Sequence, residues 1–137
     1  MTLFSSRSIW GSACATLALA GLLSACQPSP PVPATSAAIE SVGMLALQAH
    51  DAKATSLLTD WAAQGSPVAQ RELAQVLADR PETLAQALPW LEKAAASDDA
   101  TAQFTLAQAL YDGKLGQSKD DTKAWQWFEK AATQGNG

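Results

Sequence analysis

One histidine, His50, and two cysteines, Cys14 and Cys26, are the only imidazole and thiol groups in a chain of 137 residues. That scarcity leaves zinc sites and Cys-His or Ser-His-Asp constellations without parts. There is no P-loop and no Gly-x-Gly-x-x-Gly run to cradle a phosphate. Basic residues are few as well. Nine of them against 13 acidic residues give a formal net charge of -4, the wrong balance for neutralising nucleic-acid phosphates. Runs of β-branched residues are missing, so no strand is expected. What is plentiful is alanine, the best helix former and a residue that lets helices approach closely. The length allows one domain at most. His50 precedes Asp51 at an expected helix start, which suits an exposed turn residue. The paired carboxylates Asp98-Asp99 and Asp120-Asp121 also stand at helix starts, where N-capping accounts for them. No catalytic residue, no metal site and no cofactor is therefore expected, and the chain reads as a non-enzyme.

The amino terminus has the layout of a secretory leader. Arg7 is the sole charge before Glu40, and a mostly apolar, small-residue run from Ile9 to Leu23 follows it. That run is short for a membrane span, which needs about 20 residues, but it fits a signal-peptide core. It ends at Leu23-Ser24-Ala25-Cys26, a tetrapeptide that resembles a bacterial lipobox. The resemblance implies a leader over 1–25, cleavage before Cys26, and lipidation of Cys26; two or more acyl chains give a stable anchor. It also implies that Gln27, where an aspartate would retain the protein in the inner membrane, favours the inner leaflet of the outer membrane, facing the periplasm. With Cys14 in the leader and Cys26 lipidated, no thiol remains for other chemistry. Residues 26–36 are proline-rich between Pro28 and Pro33, which favours extended polyproline geometry and reads as a tether of about 30 Å.

Residues 37–137 carry an internal repeat. Ala54 to Gly65, Ala87 to Asp98 and Ala124 to Gly135 stack without gaps, each with an Ala-Ala pair near its end. Past the turn, Ala69-Gln70 and Leu73-Ala74 match Ala102-Gln103 and Leu106-Ala107. Self-similarity at this spacing is the signature of a helical solenoid, which presents elongated binding surfaces. Six helices are expected. The first runs near Ala37 to Gln48 with Ile39, Val42, Leu45 and Ala46 on one face. The second follows Asp51 and ends at Gly65. The third runs from Pro67 to Ala78, and the fourth opens at Pro81 and spans Glu82 to Ser97. The fifth spans Ala100 to Asp112, and the sixth starts at Asp120 or Asp121 and closes at Gly135.

Asp120-x-x-Lys123-Ala124-x-x-Trp127-Phe128-x-Lys130-Ala131-Ala132-x-x-Gly135 resembles the second helix of a Sel1-like repeat. Ala102-x-x-x-Leu106-Ala107-x-x-Leu110, followed by Gly113 and Gly116, is similar to its first helix and turn. The resemblance covers roughly Ala52 to Gly137. It implies an all-α, right-handed superhelix of antiparallel helix pairs related to tetratricopeptide repeats. Ala107 and Leu110 depart from the usual glycine and tyrosine, and the family's inter-helix cysteines are absent. The turn Asp79-Arg80-Pro81-Glu82 lacks the glycine pair, so that hairpin is expected to be tighter. Trp90 and Trp127 are expected in the core, so that Trp127→Ala costs about 3–5 kcal/mol. Trp125 cannot share the Trp127 face and is either wedged against a neighbour or exposed.

In related superhelices the first helix of each repeat lines the concave side. There, residues not needed for packing recur at Arg71, Gln75 and Asp79, and again at Phe104, Gln108, Tyr111 and Asp112. They lie about one turn apart, so each set forms a stripe, and an aromatic-plus-amide stripe suits an extended peptide or a partner's helix. The expectation is a lipid-anchored periplasmic scaffold or adaptor that binds a protein or peptide partner on this face. A narrower version is an immunity lipoprotein that neutralises a periplasm-acting toxin. A cell-wall-active or β-lactam-hydrolysing enzyme is a third class, disfavoured by the missing histidines and cysteines.

Overall fold

The computed structural model describes residues 35–135. The expected leader, Cys26 and the proline-rich segment lie outside the described residues. Those described form six helices and no strand: α1 (Ser36–Ala49), α2 (Ala52–Ala63), α3 (Pro67–Ala78), α4 (Leu84–Ala96), α5 (Ala100–Asp112) and α6 (Asp121–Thr133). They pack as three successive hairpins, α1/α2, α3/α4 and α5/α6, with α3 laid on both α1 and α2 and α5 laid on α4.

Local sequence sets the boundaries. The Asp51 carboxylate accepts hydrogen bonds from the Lys53 and Ala54 backbone N–H groups at 2.7 and 3.2 Å and so starts α2. Asp99 caps α5 by accepting from the Ala102 N–H at 2.7 Å, and Asp120 caps α6 by accepting from the Lys123 N–H at 3.0 Å. The Lys123 backbone N–H holds the Asp120 carboxyl below the usual carboxylate range. Pro67 occupies the first turn of α3, where its missing N–H costs nothing, behind an N-cap serine, Ser66. Each second helix is followed by a left-handed residue at the same repeat position: Gly65 at φ 91°, Asp98 at φ 60° and Gly135 at φ 85°. Asp98 fills a place where glycine is the low-strain choice.

One boundary and one helix face depart from the sequence reading. Pro81 does not open α4, which begins at Leu84. Residues 81–83 form a turn, tied back to α3 by Thr83, whose hydroxyl donates to the Leu77 carbonyl at 2.7 Å. Leu45 is not on the inward face of α1: it is 50 % exposed, and Gly43 is buried there instead, beside Ile39 and Ala46.

The core runs in two linked clusters. Ile39, Leu58, Trp61, Ala69, Leu73 and Val76 fill the first, and Leu91, Ala94, Ala95, Ala102, Leu106 and Ala124 the second. Trp90 packs against both, bridging the two, as a groove-filling indole should. Among the described residues Trp61 is the buried indole, at 5 % exposure. Trp90 and Trp127 are half-buried, each capped by an ammonium group over its ring, Lys93 at 4.2 Å and Lys130 at 4.1 Å. The cost expected for Trp127→Ala therefore belongs to Trp61→Ala.

A repeated polar latch joins the hairpins. The buried Gln70 amide donates to the Ala62 carbonyl at 3.1 Å, and the buried Gln103 amide donates to the Ala95 carbonyl at 3.0 Å. Each carries the start of one hairpin onto the end of the preceding helix. Among the described residues no helix is long and apolar enough to cross a membrane.

Candidate functional site

The two joints between successive first helices differ. At the α1/α3 joint the helices pack closely, because the side chain of Glu72 lies directly over Gly43; a Cβ there would collide with its carboxylate. Glu72 is buried with Arg71 beside it. The Arg71 guanidinium meets Glu40 of α1 at 2.9 Å, Glu72 at 2.9 Å and the Asp99 cap of α5 at 3.3 Å. One cation thus ties three hairpins together. Burial pushes the Glu72 carboxyl up from its ordinary range; Arg71 opposes that push, and Glu40 and Asp99 add to it.

The α3/α5 joint is open. The two helices do not pack closely, and a cleft of about 260 Å³ lies between them. Ala74 and Ala78 of α3, Leu91 of α4, and Ala109 with Leu115 supply apolar walls, while Gln75, Thr105, Gln108 and Asp112 supply the polar ones. Its origin is legible in the repeat. Thirty-three residues on from Glu72 and Val76, which fill the first joint, stand Thr105 and Ala109. The smaller side chains leave the second joint unfilled.

The seven side chains expected to form one binding stripe are thereby sorted. Gln75, Gln108 and Asp112 line the cleft. Asp79 is exposed at the end of α3, next to Ala78 of the cleft wall. Tyr111 is 46 % exposed, with the Lys119 ammonium 4.9 Å from its ring centre. Phe104 is half-buried and turned toward α6, where it meets Phe128 edge-on at 5.4 Å. Arg71 stands apart: with its side chain 11 % exposed and its donors held by three carboxylates, it belongs to the framework beneath the stripe. Sequence reasoning singled out Trp125 without settling its place. It is 68 % exposed, edge-on to Phe128 at 5.9 Å. His50 is exposed at the end of α1, with Arg80 3.1 Å from its Nδ1. Leu115 and Thr105 escaped the sequence reading, although the shrinkage from Glu72 to Thr105 was visible in the repeat.

Hairpins stacked on a repeating latch, with an open cleft on one side, define the class of helical-repeat solenoids. The Sel1 repeat family model matches residues 67–99 and 100–136, and the chain belongs to that family. The α1/α2 hairpin lies before the matched residues. The chain is similar to a Sel1 repeat protein from Oxalobacter formigenes of known crystal structure, at 25 % identity and a TM-score of 0.59, over 72 % of this chain and 81 % of that one. No curated protein sequence matches the chain. Sel1 repeats generally mediate protein–protein interaction and are typically non-catalytic. Among the described residues no group of three or more His, Cys, Asp or Glu side chains is arranged to hold a metal ion.

Proposed function

We propose that the protein is a lipid-anchored periplasmic scaffold that binds a partner protein through the face bearing the α3/α5 cleft. The observation that carries the reading is the cleft itself, lined by Gln75 and Gln108, whose side-chain amides have no hydrogen bond within the described residues, with Tyr111 exposed on the same helix as Gln108. Solvated side chains beside an apolar recess are the makings of an interface, with anchors for affinity and amides for register. The anchoring rests on the sequence around Cys26: an apolar run after Arg7, the lipobox-like Leu23-Ser24-Ala25-Cys26, and a proline-rich tether behind it.

Two measurements test it. Cells fed an alkyne fatty acid should label the wild-type protein in the membrane fraction, and Cys26→Ala should abolish both label and membrane retention. A photo-crosslinking residue placed at Gln108 or Tyr111 should capture one protein from intact cells, while the same residue at Gln86, exposed on α4, should not. Equal capture from both positions overturns the assignment of the face.

A further inference from the structure

The α3/α5 cleft defines the chemistry of what fills it. At about 260 Å³ it falls below the roughly 300–1,000 Å³ of small-molecule sites, a size for one or two apolar side chains. Gln75 and Gln108 stand on its two sides, 33 residues apart at the same repeat position. Neither amide has a hydrogen bond within the described residues, and each can both donate and accept. Paired amides of that kind match a backbone whose N–H and C=O groups are unbonded. An extended segment offers such groups and a helix does not. The unpaired charge is of one sign. Lys114 and Asp112 on the lining neutralise each other at 2.8 Å, and Asp79, exposed beside Ala78 of the cleft wall, is left as a carboxylate with no ion-pair partner among the described residues.

We infer that the cleft receives one apolar side chain of an extended partner segment, with Gln75 and Gln108 bonding the segment's backbone and a basic flanking residue facing Asp79. This rests on the protein-binding reading above and adds the chemistry of the bound segment. The chain's own proline-rich stretch over 27–34 is a poor occupant, since it has no basic residue and its prolines lack N–H donors.

The test uses the full-length protein in detergent micelles and fluorescein-labelled nonapeptides on a Gly-Ser background, read by anisotropy. One peptide carries a central Leu between two Lys, one the same Leu between two Glu, one a central Ser between two Lys; a fourth, an octapeptide outside that background, has the chain's own sequence over residues 27–34. The Leu peptide flanked by Lys should bind at least about ten-fold more tightly than the other three. Gln75→Ala with Gln108→Ala should weaken it about ten-fold, and Ala78→Leu, which fills the cleft, should abolish binding with the helical circular dichroism unchanged. Indifference to the central residue or to the flanking charge overturns the inference, as does tightest binding of the 27–34 peptide. A dimer that dissociates on Ala78→Leu in sedimentation would identify a second copy as the occupant, again against it. If in-cell capture through Gln108 survives Ala78→Leu, the cleft is not the contact although the protein-binding reading stands. If no position captures a partner, it is that reading which falls.

Discussion

The joint between α1 and α3 and the joint between α3 and α5 are built on one repeat and finished differently. The first is sealed: Glu72 covers Gly43, Val76 is buried, and Arg71 gathers three carboxylates from three hairpins. The second has alanine walls and the Gln75/Gln108 amide pair, carries Thr105 and Ala109 where the first has Glu72 and Val76, and opens into a cleft. A solenoid can therefore finish successive joints differently by side-chain size alone, sealing one and leaving the next open.

The largest expected effect comes from breaking the sealed joint. Arg71→Ala leaves Glu40, Glu72 and Asp99 facing one another, two of them largely out of water, and should cost about 3–5 kcal/mol in urea denaturation. Phe104→Ala, at the corresponding position of the open joint, removes one edge-on ring contact at 5.4 Å and should cost about 1–2 kcal/mol. Comparable losses for the two would show that Arg71 is not the strut described.

The contrast between the joints bears on how far the sequence could be read. Six helices, the Asp51, Asp99 and Asp120 caps and the closing glycines were all legible, because caps and periodicity are local signals. Arg71 was read as surface because Glu40 and Asp99 lie 31 and 28 residues away, beyond any local pattern. The start of α4 was misplaced because Pro81 resembles a first-turn proline, whereas Thr83 uses its hydroxyl to close the turn on Leu77. Leu45 was assigned inward by spacing alone; the close approach at Gly43 turns α1 so that Leu45 faces out. Gln75, Gln108 and Asp112 were singled out as a stripe, but the cleft they line was not legible, since a void is a property of two helices together.

The polar latches should separate next. The Gln103 amide is satisfied on both sides, donating to Ala95 and accepting from the Gln134 side chain at 3.0 Å, whereas the Gln70 side-chain oxygen has no partner. Gln103→Ala should cost about 2 kcal/mol and Gln70→Ala about 1 kcal/mol, measured by thermal or urea melts. Smaller again, Ala109→Val gives the open joint the residue that fills the sealed one. It should stabilise by roughly 1 kcal/mol while narrowing the cleft and weakening the basic-flanked Leu peptide. A valine that destabilises there would mean that the cleft walls cannot accept the volume that Val76 occupies in the sealed joint.

The subtlest difference is one of pH. Glu72 is buried in the sealed joint, and its carboxyl is raised above the ordinary 4.5 by burial; Arg71 relieves that push in part, while Glu40 and Asp99 add to it. A raised carboxyl means that the folded state holds the proton more tightly than the unfolded one. The stability this group contributes is therefore fully present below its unfolded value and is lost as pH rises through its folded value. In its ionised form Glu72 is then a burden on the fold, and Glu72→Gln, whose carbonyl can still accept from Arg71, removes it. The variant should equal or exceed the wild type in stability at pH 7, and its advantage should shrink as pH falls toward 4.5 and the wild type takes up its proton. Paired urea titrations between those two pH values read the effect directly. A gap between the two proteins that stays constant with pH would assign the Glu72 site a fixed charge state and leave Arg71 in command of the joint.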